Sequence, residues 1–365
     1  MMGLPMYVTG YERQVARISD DDVRKRYGVQ TVHRLSQNEN PLGPAPDVIA
    51  TIQQLTPTLA RYPDYSDIAL REALIEVIGR GLTVDYLYTG MSGYESLELV
   101  TRGFLRPDDE VIVSSPTFIS AYQKTSVLQG ARVVDVPLHP QTFVYDVEGV
   151  LNAITPRTRL ILLCNPNNPT GTIITDAQMA HLLGAIPDHV LVVADQVYEH
   201  YVTRPDFPDA LPYVLNDANL VLTYSFSKAY GLAGLRLGFG IAPPRIADYL
   251  ASMHRGFHHS TLTLGAGVVA VRNQAYLQQV IDFTHRERAL LEQAFAQLGV
   301  RYWTSQANFV LFETAYPATD LTELFMQVGI LVRPQHKSGL AHAVRVSVGT
   351  TEANRAFITR LSELV

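Results

Sequence analysis

Short apolar runs recur through the middle of the chain, at residues 110–114, 132–138, 160–164, 190–194, 220–224 and 235–241. They are rich in Val, Ile and Leu and are bounded by Pro, Gly or Asn. Runs this short, without polar alternation, predict strands buried on both faces. Between them, residues 94–104 and 176–183 repeat apolar positions with a helical period. Strands alternating with helices predict an α/β fold: a mostly parallel central sheet with helices on both sides.

The pattern changes after residue 270. A long amphipathic helix is expected over 277–298, strands at 308–313, 329–333 and 344–348, and helices at 320–327 and 352–364. This reads as a smaller α+β unit. The first 45 residues are broken by Pro and charge, and residues 38–46 (NENPLGPAP) cannot be helix or central strand because their prolines lack the N–H. The expected division is therefore an N-terminal arm at 1–45 belonging partly to the small domain, a large domain at 46–270, and a small C-terminal domain at 271–365. The chain shows neither an internal repeat nor a low-complexity tract.

Composition narrows the function. Of the 365 residues, 47% are hydrophobic and 18% charged, which is the balance of a folded, core-rich chain. The net charge of -6 gives no pull toward nucleic acid or an anionic membrane. The single cysteine, Cys164, cannot pair within the chain, which fits a reducing compartment. No run approaches the ~18 apolar residues of a membrane span, and Glu12 and Arg13 interrupt the N-terminus too early for a signal peptide. A cytoplasmic location is the expectation. Cys164 and Trp303 read as packing residues.

The chemistry gathers where the predicted strands end. The strand at 220–224 runs into SFSKAYGLAGLRLGFG (225–240), a polar turn with Ser225, Ser227, Lys228 and, eight residues on, Arg236. A lysine at the carboxyl end of a buried strand is either solvated or desolvated and reactive. In open parallel sheets ligands bind at those ends, and Ser225 and Arg236 suit a phosphate beside the amine. NPNNPTG (165–171) follows the strand at 160–164 and puts Asn168 in a Pro-bounded turn, which an ordinary turn would also explain. ADQVY (194–198) ends another strand with Asp195 and Tyr198. A carboxylate there costs several kcal/mol unless it meets a cation or donors; a structural ion pair is the ordinary alternative, a pyridinium nitrogen the functional one. An amide, a carboxylate and a lysine from three strand ends match the needs of pyridoxal 5'-phosphate.

In these motifs, in their order and spacing, the chain resembles the fold-type I pyridoxal-phosphate-dependent aminotransferases of class I/II, and within them the histidinol-phosphate aminotransferase branch. LSQNENPLGPAP (35–46), RYP (61–63) and VRVSVGT (344–350) extend the likeness over nearly the whole sequence. The resemblance implies Lys228 as the Schiff-base lysine and proton shuttle, and Asp195 as partner of the ring nitrogen. It implies Asn168 and Tyr198 on the ring hydroxyl, Ser225, Ser227 and Arg236 around the phosphate, and Phe118 stacked on the ring. Tyr62 would reach the cofactor of a partner subunit, which implies a homodimer with shared sites. Arg345, helped by Arg333 and Tyr11, would bind the anionic group of the substrate, with Asn168 beside it. The implied reaction is a ping-pong transfer from an amino donor such as histidinol phosphate to a 2-oxo acid such as 2-oxoglutarate. Related amino-acid aminotransferases, decarboxylases and cyclases share the scaffold.

Three departures from the family pattern stand out. A helix start at residues 90–95 (GMSGYE) replaces the usual Gly-Asn-Gly-Ser-Asp-Glu, so Gly93 and Tyr94 are expected to offer backbone N–H groups to the phosphate. Gln196 stands where the family usually has Glu. GFHHST (256–261) replaces a Pro-Tyr/Phe-Asn-Val segment near the substrate; His258 and His259 read as polar loop residues rather than metal ligands. Two rival readings are weaker. Ser225–Lys228 also spells S-x-x-K, but the S-D-N and K-T-G partners of acyl-serine enzymes are missing. A cofactor-binding regulator without turnover would leave Arg345 unused.

Overall fold

The computed structural model describes residues 18–64, 66–254 and 256–365. Among the described residues the strands form a seven-stranded sheet, a four-stranded sheet and a two-stranded ribbon. The large sheet runs, from edge to edge, Leu87–Gly90, Gly238–Ile241, Leu220–Ser225, Leu191–Asp195, Thr158–Cys164, Glu110–Val113 and Arg132–Asp135. Gly238–Ile241 is antiparallel to both neighbours, and the pairs beyond it are parallel.

The central strands carry continuous apolar runs because both faces are covered. Ile161 and Leu163, Val192 and Ala194, Leu220 and Leu222 pack into the core on one face. Leu160 and Leu162, Leu191 and Val193, and Val221 pack on the other. Expectation and structure part at the edges. The run at 132–138 stops pairing at Asp135, and its strand is an outer one with exposed ends rather than a doubly buried one. The run at 235–241 is divided: Ala233–Leu235 is a helical turn, Arg236 turns left-handed with φ 56°, and only Gly238–Ile241 pairs.

The antiparallel four-stranded sheet is built from Arg301–Trp303, Phe309–Glu313, Arg333–Pro334 and Ala343–Ser347. It packs with the 24-residue helix Gln274–Gln297 and with Thr351–Leu364 around Leu291, Phe295, Phe312 and Phe357. The N-terminal segment is tied to this unit, since His33–Arg34 pairs parallel with Ile330–Leu331. Residues 38–46 are free of strand, and helix begins at Pro46. Cys164 is buried in the core. Trp303 packs on Phe143 with ring centroids 4.9 Å apart and donates its indole N–H to the Gln141 carbonyl at 2.9 Å. Among the described residues no helix is long and apolar enough to cross a membrane.

Candidate active site

Sheet register builds the floor of the site. Asp195 pairs across the ladder with Cys164 on one side and Thr223 on the other, so three neighbouring strands end in one row. Just beyond that row the chain turns into Asn168, Tyr198 and Lys228.

Asp195 is buried, with 6% of its surface exposed. Its carboxylate accepts from the Tyr122 hydroxyl at 3.1 Å and from the Thr223 hydroxyl at 3.3 Å. Burial lifts its pKa to about 6, against these two hydroxyls and the charge of Lys228, which pull it down. An anion held by two neutral donors in a low-dielectric floor favours a cationic partner above it.

Lys228 is half-buried, and its Nζ donates to the Gln37 carbonyl at 3.3 Å and stands 5.6 Å from the centre of the Tyr198 ring. Burial lowers its pKa to about 8; the Arg345 and Arg236 guanidiniums push the same way, and Glu39 and Asp195 oppose them. A tenth of such an amine is neutral near neutral pH, enough for a nucleophile. The Tyr198 oxygen accepts amide N–H groups from Asn38 at 3.1 Å and Asn168 at 3.4 Å. With both lone pairs engaged, its own proton is left to donate. Burial holds this phenol well above its ordinary pKa.

Arg345 is buried at 8% exposure, donating to the Asn168 side-chain oxygen and, at 2.7 Å, to the Ser36 carbonyl. Strand pairing sets Arg333 directly opposite Arg345, so the two guanidiniums leave the same face of the small sheet. Arg236 is exposed and reaches the Ser227 hydroxyl at 3.4 Å. The Ser225 hydroxyl accepts the Ser227 N–H at 3.1 Å.

The helix Gly93–Phe104 begins one residue before the expected start, with Ser92 as its cap at φ 117°. A Cβ on Gly93 would lie 3.1 Å from the Ser225 Cβ and 3.3 Å from the Tyr224 carbonyl oxygen. Glycine thus lets this helix end seat directly on the serine turn, with Tyr94 half-buried beside it. Phe118 caps the helix Ile119–Val127 and meets Tyr122 edge-on at 6.1 Å.

Sequence reading overlooked the second rank of this site. Tyr122 and Thr223 hold Asp195, while Asn38 ties Tyr198 to the small sheet through Ser347. Asn38 lay inside a recognised motif, and Tyr122 stands one helical turn after Phe118, which is the signal that would have found them.

One predicted residue lies away from this cluster. Tyr62 is 83% exposed and stacks on Phe257 at 4.9 Å. Tyr11 lies outside the described residues. His258 and His259 lie in the loop that precedes the helix Thr261–Arg272. His254, His258 and His259 form a stack with successive centroids 4.0 Å apart, and His259 is buried. Both His258 and His259 meet the Thr89 hydroxyl, which donates to Asp67. Burial drives His254 down to about 4 and His259 to about 3, so they stay neutral. Among the described residues no group of three or more His, Cys, Asp or Glu side chains is placed to hold a metal ion.

The sequence pattern of aminotransferase class I and II matches residues 30–361. The chain belongs to the class I and II aminotransferases. A histidinol-phosphate aminotransferase of Moorella thermoacetica is 35% identical over 346 residues, covering 94% of this chain and 88% of that protein. Histidinol-phosphate aminotransferase 1 of Nitrosococcus oceani is 35% identical over 345 residues, covering 94% and 92%. Among solved aminotransferases, a double mutant of aspartate aminotransferase from Thermus thermophilus superposes with a TM-score of 0.86 at 26% identity, each chain covered in full at 100%. The histidinol-phosphate aminotransferase of Sinorhizobium meliloti, solved with pyridoxal-5'-phosphate, shares the aminotransferase fold with a TM-score of 0.87 at 23% identity, covering 99% of this chain and 97% of that one.

Proposed function

We propose that this aminotransferase carries pyridoxal 5'-phosphate on Lys228 and moves an amino group from histidinol phosphate, or a close relative, to a 2-oxo acid such as 2-oxoglutarate. The observation that carries the cofactor assignment is the placing of a buried carboxylate and a half-buried amine just past the same row of strand ends. Asp195 and Lys228 leave the ends of adjacent parallel strands, and each perturbs the charge of the other.

The side chains fit that group. When bound, pyridoxal phosphate supplies an aldehyde that condenses with amines and a cationic ring that draws electrons from the alpha carbon. Asp195 would keep the ring nitrogen protonated. Tyr198 and Asn168 would hold the ring hydroxyl, and Phe118 would cover the ring. Ser225, Ser227, Arg236 and the N–H groups at Gly93 and Tyr94 take the phosphate. The Lys228 Nζ would carry a proton from the donor's alpha carbon to the cofactor in the first half of the cycle, and from the cofactor to the acceptor's alpha carbon in the second. Arg345, with Arg333 and Tyr11, binds the substrate's carboxylate or phosphate.

The choice of donor rests on relatives named histidinol-phosphate aminotransferase that align over nearly the whole chain. A homodimer belongs to the same reading. Tyr62 and Phe257, 83% and 45% exposed, form an aromatic pair suited to a second subunit's site. A second donor class is supported by the 26% identity to an aspartate aminotransferase, namely amino acids with an anionic side chain. One experiment separates these readings. Purified holoenzyme is mixed with histidinol phosphate, glutamate, aspartate or phenylalanine while the cofactor absorbance is followed. Fast bleaching by histidinol phosphate and by glutamate is expected; bleaching by aspartate alone selects the second reading. Full turnover by Lys228→Ala would refute the cofactor assignment.

A further inference from the structure

Residues 36–40 form a short roof over the amine. The Ser36 carbonyl accepts from Arg345 at 2.7 Å and the Gln37 carbonyl from Lys228 at 3.3 Å. Asn38 turns left-handed at φ 54°, gives its amide to the Tyr198 hydroxyl at 3.1 Å, and is gripped from the small sheet by Ser347 and Asn308. The Asn40 amide donates to the Ala229 carbonyl at 3.0 Å, next to the lysine. Both asparagines are buried, and between them Glu39 is exposed. The roof is therefore pinned on each side of a carboxylate that faces solvent near the reactive amine.

The charge pattern gives that carboxylate a task. The charges that bear on Lys228 are two guanidiniums, Arg345 and Arg236, and two carboxylates, Glu39 and Asp195. Asp195 lies buried beneath and is engaged by Tyr122 and Thr223. Arg345 suits the donor's anionic group and Arg236 the cofactor's phosphate, which leaves the exposed Glu39, a carboxylate that accepts hydrogen bonds and donates none. A donor side chain with an N–H, or with a protonated nitrogen, gains a charge-assisted bond there. An apolar side chain gains nothing, and an anionic one is repelled.

We infer that Glu39 is a specificity-determining residue, whose carboxylate selects amino donors carrying a nitrogen-bearing ring or cationic side chain. The inference rests on the proposed amino-transfer reading of the same site and names the part of the donor that is recognised.

The test compares histidinol phosphate with phenylalaninol phosphate, which keeps the amine and phosphate but removes the ring nitrogens. Holoenzyme and its Glu39→Gln variant are mixed with each donor, and rate and half-saturation are read from the cofactor absorbance at several pH values. The wild type should prefer the imidazole donor, more strongly as pH falls through the imidazole's ordinary pKa of about 6.5. In Glu39→Gln the preference should shrink by about tenfold, through half-saturation rather than maximal rate, as expected for losing one exposed charge-assisted bond. Its pH dependence should flatten, and half-saturation by glutamate should fall because a repelling charge has gone. An unchanged donor ratio overturns the inference, as does an equal loss of maximal rate for both donors, which would mean that Glu39 acts on Lys228 instead. If the wild type bleaches with glutamate but not with histidinol phosphate, the donor assignment fails by itself. Histidine and lysine against phenylalanine and leucine then provide the comparison for Glu39, and an unchanged ratio in Glu39→Gln overturns the inference there too.

Discussion

In the cofactor-free protein, Lys228 should react with an acylating reagent well below the pH at which an ordinary lysine does. Burial first, then the Arg345 and Arg236 guanidiniums, bring its ammonium from 10.5 to about 8. That fall is worth about 3 kcal/mol, at about 1.4 kcal/mol per unit. Near neutral pH about one Lys228 in ten is then neutral, against about one in three thousand for an unperturbed amine, an advantage of about 300-fold. The chain has four lysines, Lys25, Lys124, Lys228 and Lys337, so peptide mass spectrometry resolves each one. Brief pulses of acetic anhydride between about pH 6 and about pH 10 give a midpoint for each. The midpoint, unlike the amplitude, is insensitive to the restricted access of a half-buried side chain. Lys228 should titrate near 8, and Arg345→Gln should move its midpoint up by removing a like charge. A wild-type midpoint in the ordinary lysine range, or one that stays put in Arg345→Gln, would refute the electrostatic argument. Stability follows with a definite sign. The folded chain holds fewer protons than the unfolded one between about 8 and 10.5, so Lys228 makes stability rise with pH across that window. Lys228→Met should therefore stabilise the cofactor-free protein below pH 8 and lose that gain above 10.5.

Asp195 has the opposite slope: its pKa is raised from 3.8 to about 6, so the folded chain binds more protons across that window and loses stability as pH rises through it. Cofactor-free Asp195→Asn should melt higher than wild type at neutral pH, by up to about 3 kcal/mol, with the gain vanishing below pH 3.8, while its holoenzyme loses amino transfer; differential scanning calorimetry and a donor half-reaction measure the two effects. Gly93→Ala brings a methyl group to 3.1 Å from the Ser225 Cβ and the Val197 Cγ1. Overpacking of that kind costs about 1–3 kcal/mol, and because it pushes the helix end off the serine turn, cofactor affinity in an absorbance titration should fall about tenfold or more. Asn38→Ala removes the amide on Tyr198 and the acceptor for Ser347 at a left-handed backbone position. Urea unfolding should show a loss of about 1–3 kcal/mol, part of it recovered in Asn38→Gly, which tolerates φ 54° without strain.

The central strands were legible because a sheet covered on both faces writes continuous apolar runs into the sequence. The run at 160–164 appears as Thr158–Cys164, and 220–224 as Leu220–Ser225. Leu87–Gly90 escaped notice, since four residues containing a polar Thr and a Gly carry no such run. Arg301–Trp303 did too, being short and partly exposed. Helices such as Pro46–Leu55 and Thr261–Arg272 were also passed over, their apolar faces packing against one another rather than showing a clear period.

The sequence by itself determined the α/β alternation and the family, and it named the candidate reactive groups, because all three are local: a run of Val and Leu, or a lysine three residues past a strand. Tertiary structure alone decided how those groups are tuned. Asn38 lies 160 residues from Tyr198, and Arg345 lies 177 residues from Asn168, yet each pair is hydrogen-bonded. The acidity of Lys228 and the basicity of Asp195 depend on burial and on charges brought in from distant parts of the chain, and proximity in space is a quantity that local spacing does not encode.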